Sequence, residues 1–369
     1  MKQYSISPDG EKFRLPEPDD YKKEYRRLEN VVKKQRELGR EIVVVMGVGF
    51  VGAVMAAVVA DSVDENNNPT KFVIGMQRPS TRSYWKIPLL NRGCGAAIAM
   101  RFVLKALGEK TIMIIPACCW SIIAGPYPQS TLKIPVLHTA FETGGAVASG
   151  VRAAQDVKGD SETTVVTWAG DGGTFDIGFQ ALSGAVERNE NFIYVCYDNE
   201  AYMNTGVQRS SSTPYGAWTT TTPGQQWKRL RKKNIVEALV AHRIAYAATA
   251  SIAFPEDLIR KVTKAKSITG ARFLHIFSSC PTGWGIPSEM SIKIARMAVQ
   301  TNIFPLYEVE EGIKYTINFT PKGYLVNEYF RLQGRFRHLS EKDLAHIQEM
   351  VDEDWHLLLR KAGSVAEIS

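Results

Sequence analysis

Cysteine is scarce in this chain, with five in 369 residues, and histidine nearly as scarce, with six. No secretory signal opens the sequence and no apolar run reaches membrane-spanning length. These absences predict a cytoplasmic protein in a reducing compartment, where each cysteine is a small buried residue or a ligand and not half of a disulfide. No internal repeat is visible, which excludes a solenoid or a propeller. The net charge of +7 and pI near 9.0 are modest. The basic run over residues 21–40 carries Glu24, Glu29 and Glu37 at helical spacing, so it reads as a solvated amphipathic helix and not as a nucleic-acid surface. With 44% hydrophobic and 22% charged residues, the chain can bury one large core and one small unit.

What is present is an alternation of apolar strands and helices. Residues 94–108 predict a helix, TIMIIPA a strand, FETGGAVASGVRAAQDV a helix after a Gly-rich entry, and VVTWAG and FIYVCYD two more strands. IVEALVAHRI (helix), AYAATASIA (strand) and PEDLIRKVTKAKS (helix, Pro255 in its first turn) follow, and RFLHIFSS is the last clear strand. Residues 335–363 read as a helical hairpin. The pattern predicts an α/β chain with a doubly wound parallel sheet, covered on both faces, that binds its ligand at the strand C-terminal ends.

Residues 170–205 carry the chemistry. A strand runs into Gly170-Asp171-Gly172-Gly173, a helix predicted from near Phe175 follows, and a second strand delivers Asn199, 28 residues beyond Asp171. Mg²⁺ takes hard oxygen ligands and shares them with phosphates. Asp171 supplies a carboxylate, Asn199 an amide oxygen and Ala201 a main-chain carbonyl, a set that can hold Mg²⁺ against a diphosphate. The glycines let backbone N–H groups approach the phosphate oxygens at a helix start. This is the layout of a site for thiamine diphosphate and Mg²⁺.

From residue 94 to about 355 the chain resembles the beta subunits of pyruvate:ferredoxin oxidoreductases, within the 2-oxoacid:ferredoxin oxidoreductase family. The runs that carry the resemblance are CGAAIAMRFVLKALGEK, PACCWSIIAGPYPQS, LHTAFETGGAVASG, the segment just described, STPYGAWTTTTPG and SSCPTGWGIP. It implies oxidative decarboxylation of a 2-oxoacid, pyruvate first because of the match at STPYGAWTTTTPG, on thiamine diphosphate. Electrons leave through [4Fe-4S] clusters to ferredoxin and the acyl group passes to coenzyme A. It implies alpha, gamma and delta partner subunits, with the glutamate that activates thiamine on the alpha subunit, so that this chain alone has no turnover. His138, Glu142 and Thr143 are expected near the thiamine half of the subunit interface, His138 equally readable as structural. Tyr202 and Asn204 are expected at the cofactor, Asn204 on a phosphate or the aminopyrimidine, and Trp120 and Ser121 beside it. The basic run WKRLRKK (227–233) is left open among a solvated face, a subunit contact and the anionic tail of coenzyme A.

The same resemblance assigns Cys94, Cys119 and Cys280 to the cluster. The family's C-x-x-C pair is incomplete, since Asn91 stands at the first position. Four thiolates normally hold such a cube, so three predict a labile or [3Fe-4S] cluster. Cys118 and Cys196 read as buried apolar residues.

The N-terminal quarter differs. EIVVVMGVGFVG places a strand before a complete G-x-G-x-x-G (Gly47, Gly49, Gly52), a helix VGAVMAAVVAD follows, then the strand KFVIGM. That is a dinucleotide-binding fingerprint in context. Residues 1–93 resemble the opening βαβ unit of a nucleotide-sugar dehydrogenase of the UDP-glucose/GDP-mannose type, truncated and joined at Gly93/Cys94 to a thiamine-binding domain over 94–369. The acidic residue expected after the second strand is replaced by Met76, Gln77 and Arg78, Arg78 reading as a surface arginine, and NAD binding is not expected. Two other functions stay in view: a non-catalytic fusion product with an incomplete cluster site, and a nucleotide-sugar dehydrogenase fragment.

Overall fold

Strands buried on both faces organise the larger part of this protein. The computed structural model describes residues 4–6, 12–46, 70–76, 93–125, 130–224 and 226–363, in two units: Met1–Arg92 with Ile122–Leu132, and Gly93–Ser121 with Lys133–Ser369.

In the first unit, β1 (Tyr4–Ile6) and β2 (Lys12–Arg14) form a small antiparallel pair. Helix α1 (Pro18–Glu37) starts on Pro18, with the Asp20 carboxylate accepting from the Glu17 amide at 2.8 Å. None of its residues is buried, as the alternation of its charges predicts. β3 (Glu41–Met46) and β4 (Lys71–Met76) pair in parallel, Glu41 opposite Lys71, the arrangement a βαβ unit requires. The fingerprint glycines Gly47, Gly49 and Gly52, their predicted helix, Gln77, Arg78 and Asn91 lie outside the described residues.

The second unit holds α2 (Gly95–Leu107), β5 (Thr111–Pro116), β6 (Val136–Thr139), α3 (Gly144–Val157), β7 (Thr164–Gly170), α4 (Phe179–Glu187) and β8 (Ile193–Asp198). α5 (Ile235–Val240), β9 (Tyr246–Ser251), α6 (Pro255–Ser267), β10 (Arg272–Phe277), α7 (Ser291–Gln300), β11 (Tyr307–Glu310), β12 (Lys314–Ile317) and α8 (Glu341–Lys361) complete it. The strands form one sheet in the order β12-β11-β9-β10-β8-β7-β5-β6. From β9 to β6 every pairing is parallel; β11 and β12 add antiparallel at the β9 edge. β8, β9 and β10 are buried at every residue, as expected where helices cover both faces of a parallel sheet.

Three expectations need correction. The strands do not end at RFLHIFSS: β11 and β12 form a hairpin, turned by Glu311 and Gly312 at positive φ. Its sequence YEVEEGIKYTI is charged, yet Glu308 is buried, bonded by Tyr246 Oη at 2.8 Å and Lys264 Nζ at 3.0 Å. The tail is not a helical hairpin. Ser340 accepts from the Asp343 amide and Asp343 from the Ser340 amide, a box that begins a single long helix; the tight turn Gly334–Phe336 and, before residue 335, a short helix Val326–Phe330 precede it. The helix after the glycine motif does not begin near Phe175 either. The chain is helical from Asp171, passes a wide turn at Gly173–Ile177, and resumes as α4.

Candidate thiamine and cation site

β5 lies between β6, the next strand in the chain, and β7. The chain therefore leaves β5 toward one side and returns on the other, and the crevice outside the β5 and β7 C-terminal ends is a switch point where doubly wound sheets bind ligands. A cavity of about 160 Å³ opens there, lined by residues 117–119, Phe141, Gly170–Gly173, Tyr197, Asn199 and residues 201–205.

Asp171 follows directly from β7 and Asn199 from β8. One terminal atom of the Asn199 amide lies 3.0 Å from Asp171 Oδ1 and 3.0 Å from the Ala201 carbonyl oxygen. With oxygen there, three oxygens converge as a cation requires; with nitrogen there, the amide donates to both, which is how the site satisfies itself without one. Asp171 is 1% exposed and its other oxygen accepts from Ser210 Oγ at 2.6 Å. Burial, with the neighbouring Asp198 carboxylate, pushes its acid well above the usual range. No ion pair to it occurs among the described residues, and a buried carboxylate without a counter-charge is a natural ligand for a cation.

Asp198, one residue before Asn199, is the contrast. Burial alone would raise its acid, but Lys232 Nζ at 2.5 Å and His275 Nε2 at 2.7 Å hold it below the usual range. Ser212 Oγ and the Glu200 amide complete its bonds at 2.7 and 2.9 Å. One aspartate is saturated by charged partners, and the other has only Ser210 and the Asn199 amide beside it.

The run 227–233 therefore has a role that sequence reasoning left open. Lys232 pairs with Asp198 and Glu200, Lys228 donates to the Ser211 and Thr213 carbonyls, and Lys233 donates to the Phe175 carbonyl. Three lysines thus brace the segments behind the cavity, while Arg231 faces outward to Glu353 and Asp354. Burial lowers Lys228 to about 8. Asp198 carried the available signal: an aspartate ending a wholly apolar strand must find partners.

Two glycines are required by close approach. The Tyr202 ring occupies the space of a Cβ on Gly172, and the Gly173 carbonyl that of one on Gly178. Tyr202 Oη donates to Asp176 Oδ2 at 2.8 Å and its ring packs edge-on to Phe141. Asn204 lines the cavity, its Nδ2 3.5 Å from the Cys118 carbonyl. Trp120 and Ser121 do not line it. Trp120 is buried, donating to the Ala96 carbonyl and packing on Trp168, and Ser121 Oγ bonds the Cys118 amide and carbonyl. His138 and Glu142 are exposed and also off the cavity wall.

The cysteine segments meet next to this cavity. The Gly95 amide donates to the Ser279 carbonyl at 3.0 Å, bringing Cys94 beside Cys280, and Trp120 ties the Cys119 segment to α2. Burial raises all three thiols, Cys280 to about 12; Cys119 is raised further by Cys118, Cys280 and Cys94. Among the described residues no three such side chains are close enough to share a single ion. Cys196 sits in the core under α4.

Residues 118–276 match the family described as the thiamine pyrophosphate enzyme C-terminal TPP binding domain. Over 284 residues the chain is 54% identical to the ketoisovalerate oxidoreductase subunit VorB of Pyrococcus furiosus, covering 73% of this chain and 90% of that protein. The chain belongs to the beta-subunit family of the 2-oxoacid:ferredoxin oxidoreductases. Within this family it is also 49% identical over 264 residues to the pyruvate synthase subunit PorB of Methanothermobacter thermautotrophicus, covering 70% and 91% of the two chains. A solved 2-oxoglutarate:ferredoxin oxidoreductase from Magnetococcus marinus, with 2-oxoglutarate, coenzyme A and succinyl-CoA bound, aligns at 28% identity and a TM-score of 0.46 over 52% of this chain and 63% of that one. Members of the family are subunits of oxidoreductase enzymes. No helix among the described residues is long and apolar enough to cross a membrane.

Proposed function

We propose that this chain is the thiamine-binding beta subunit of a cytoplasmic 2-oxoacid:ferredoxin oxidoreductase, with Asp171, Asn199 and the Ala201 carbonyl as Mg²⁺ ligands. The observation that carries the proposal is the convergence of those three groups at 3.0 Å beside a buried carboxylate that lacks a counter-charge. The donor set suits Mg²⁺, being all oxygen, and the cavity of about 160 Å³ beside Gly170–Gly173 is where a diphosphate would lie. Thiamine diphosphate supplies the electron sink for decarboxylation when bound. The residues of this chain anchor and orient it: Ser210 holds Asp171, Asp198 and its partners hold the Asn199 turn, and Asn204 offers an amide at the rim. Alpha, gamma and delta subunits complete the site, and ferredoxin and coenzyme A are the acceptors.

Cys94, Cys119 and Cys280 are the proposed cluster thiols. They come one short of the usual four, since Asn91 stands at the remaining position in the sequence. Residues 1–93 are proposed to be a truncated dinucleotide-binding unit fused at Gly93/Cys94; DNA sequencing across codons 85–100 tests that junction.

The substrate has two readings. The run STPYGAWTTTTPG favours pyruvate, and the higher identity to a ketoisovalerate oxidoreductase subunit favours a branched 2-oxoacid. Reconstitution with partner subunits, followed by ferredoxin reduction with pyruvate and with 2-oxoisovalerate as competitors, decides between them. The site itself is tested by calorimetry on the assembled complex. Asp171→Ala is expected to abolish Mg²⁺-dependent thiamine diphosphate binding, and unchanged binding rejects the assignment.

A further inference from the structure

The cation turn is held by groups that come from far along the chain. Glu200, between Asn199 and Ala201, has a φ of 66°, a left-handed backbone that a residue with a side chain keeps only when its surroundings impose it. Its side chain is buried, and its carboxylate is bonded by Lys232 Nζ at 3.0 Å and by Arg335 Nη2 at 2.5 Å. Arg335 is itself buried. Its Nε donates to Gln333 Oε1 at 3.0 Å and its guanidinium lies 4.0 Å from the centre of the Trp284 ring. Trp284 in turn donates from Nε1 to the main-chain carbonyl of Asn199 at 2.9 Å. The circuit closes on the bend and the residue before it: Arg335 grips Glu200 by its carboxylate, and Trp284 grips Asn199 by its backbone.

We propose that Arg335 and Trp284 are positioning residues which, through Glu200 and the Asn199 carbonyl, set the Asn199 amide and the Ala201 carbonyl at cation-binding separation. This rests on the reading of Asp171, Asn199 and Ala201 as ligands. A free turn pays in conformational freedom each time it gathers its ligands, whereas a turn forced into a left-handed bend by a buried ion pair has its two oxygens placed beforehand. The guanidinium suits this task where an ammonium does not, because its plane stacks on Trp284 while separate N–H groups reach Gln333 and Glu200. The short helix Pro281–Trp284 begins directly after Cys280, so the same clamp ties the cation turn to a cysteine turn. Arg335 lies in the tight turn before α8, which gives the C-terminal region a part in cofactor binding although it contributes no ligand.

The test is a magnesium titration of thiamine diphosphate binding, by calorimetry, in the complex assembled with its partner subunits. Trp284→Phe keeps an aromatic ring beneath Arg335 and removes the indole donor together with part of the buried ring. It is expected to lower the melting temperature through the volume lost from the core and to raise the magnesium requirement about threefold to tenfold, the worth of one hydrogen bond. Arg335→Lys is expected to raise it further, and Glu200→Gln likewise. Wild type and Asp171→Ala are measured alongside. If wild type binds without magnesium, or Asp171→Ala binds as wild type does, the ligand reading fails. If those two behave as expected and Trp284→Phe and Arg335→Lys keep the wild-type magnesium requirement, the clamp is overturned, whatever happens to their melting temperatures. Should Arg335→Lys not assemble, Trp284→Phe alone decides.

Discussion

The ring of Tyr202 lies where a Cβ on Gly172 would stand, so these two residues admit each other only because one of them has no side chain. Tyr202 is fixed from its far end by Asp176 and cannot easily swing away. Gly172→Ala is therefore expected to destabilise by about 1–3 kcal/mol, as overpacking does, and to weaken thiamine diphosphate retention. Adding Tyr202→Ala should recover the stability and leave the binding defect. Thermal unfolding of the single and double variants checks this, and additive losses would refute the contact.

Lys232 answers two buried carboxylates, Asp198 and Glu200, whose charges draw its pKa upward against the pull of burial. Lys232→Met leaves both acids without their shared cation. Removing one partner of a buried pair costs roughly 3–5 kcal/mol, far more than the exposed Arg231→Met, expected to cost about 1 kcal/mol at most. Chemical denaturation of the two variants measures the contrast, and equal losses would place Lys232 among surface lysines.

The three-thiol set makes a stoichiometric prediction. Anaerobically reconstituted protein is expected to hold about three irons per chain in a labile centre, and Asn91→Cys to raise this to about four. Iron and sulfide analysis with electron paramagnetic resonance reads both. Four of each in the unaltered chain would show that another ligand completes the cluster.

Lys261 is buried on α6, donating to the Thr249 carbonyl and to Asp257 at 2.8 and 2.7 Å. Burial depresses it to about 8, against 10.5 for the free side chain. Below pH 8 both states hold the proton, and the folded state bears the cost of a buried charge. Between about pH 8 and 10.5 the unfolded chain binds more protons than the folded one, so stability attributable to this residue rises with pH, by roughly 1 kcal/mol per unit. The stability of wild type relative to Lys261→Met should thus improve across that window, and a flat difference would contradict it.

Much of this was readable in the sequence because local pattern carries it. Apolar runs such as IYVCYD and TVVTWAG declare strands buried on both faces, and the 28-residue interval from Asp171 to Asn199 is what a strand-turn-helix-strand unit needs to return to the same sheet edge. The strand pair Tyr307–Glu310 and Lys314–Ile317 was not legible, because Glu308 becomes acceptable inside only through Tyr246 and Lys264, which lie more than forty residues away. Trp120 and Ser121 looked like cofactor contacts by adjacency to Cys119, yet the turn that follows β5 aims one into the core and the other at its own backbone.

The amino-acid sequence alone determined which oxygens meet beyond β7 and β8 and which strands carry them, since both follow from residue type and from the length of a βαβ return. Only the tertiary structure decided what holds them there. That Lys232 faces Asp198 and not water, and that Arg335 reaches Glu200 across 135 residues, depend on how the chain closes on itself. A charge is stable in the interior only beside the particular opposite charge that the fold brings to it.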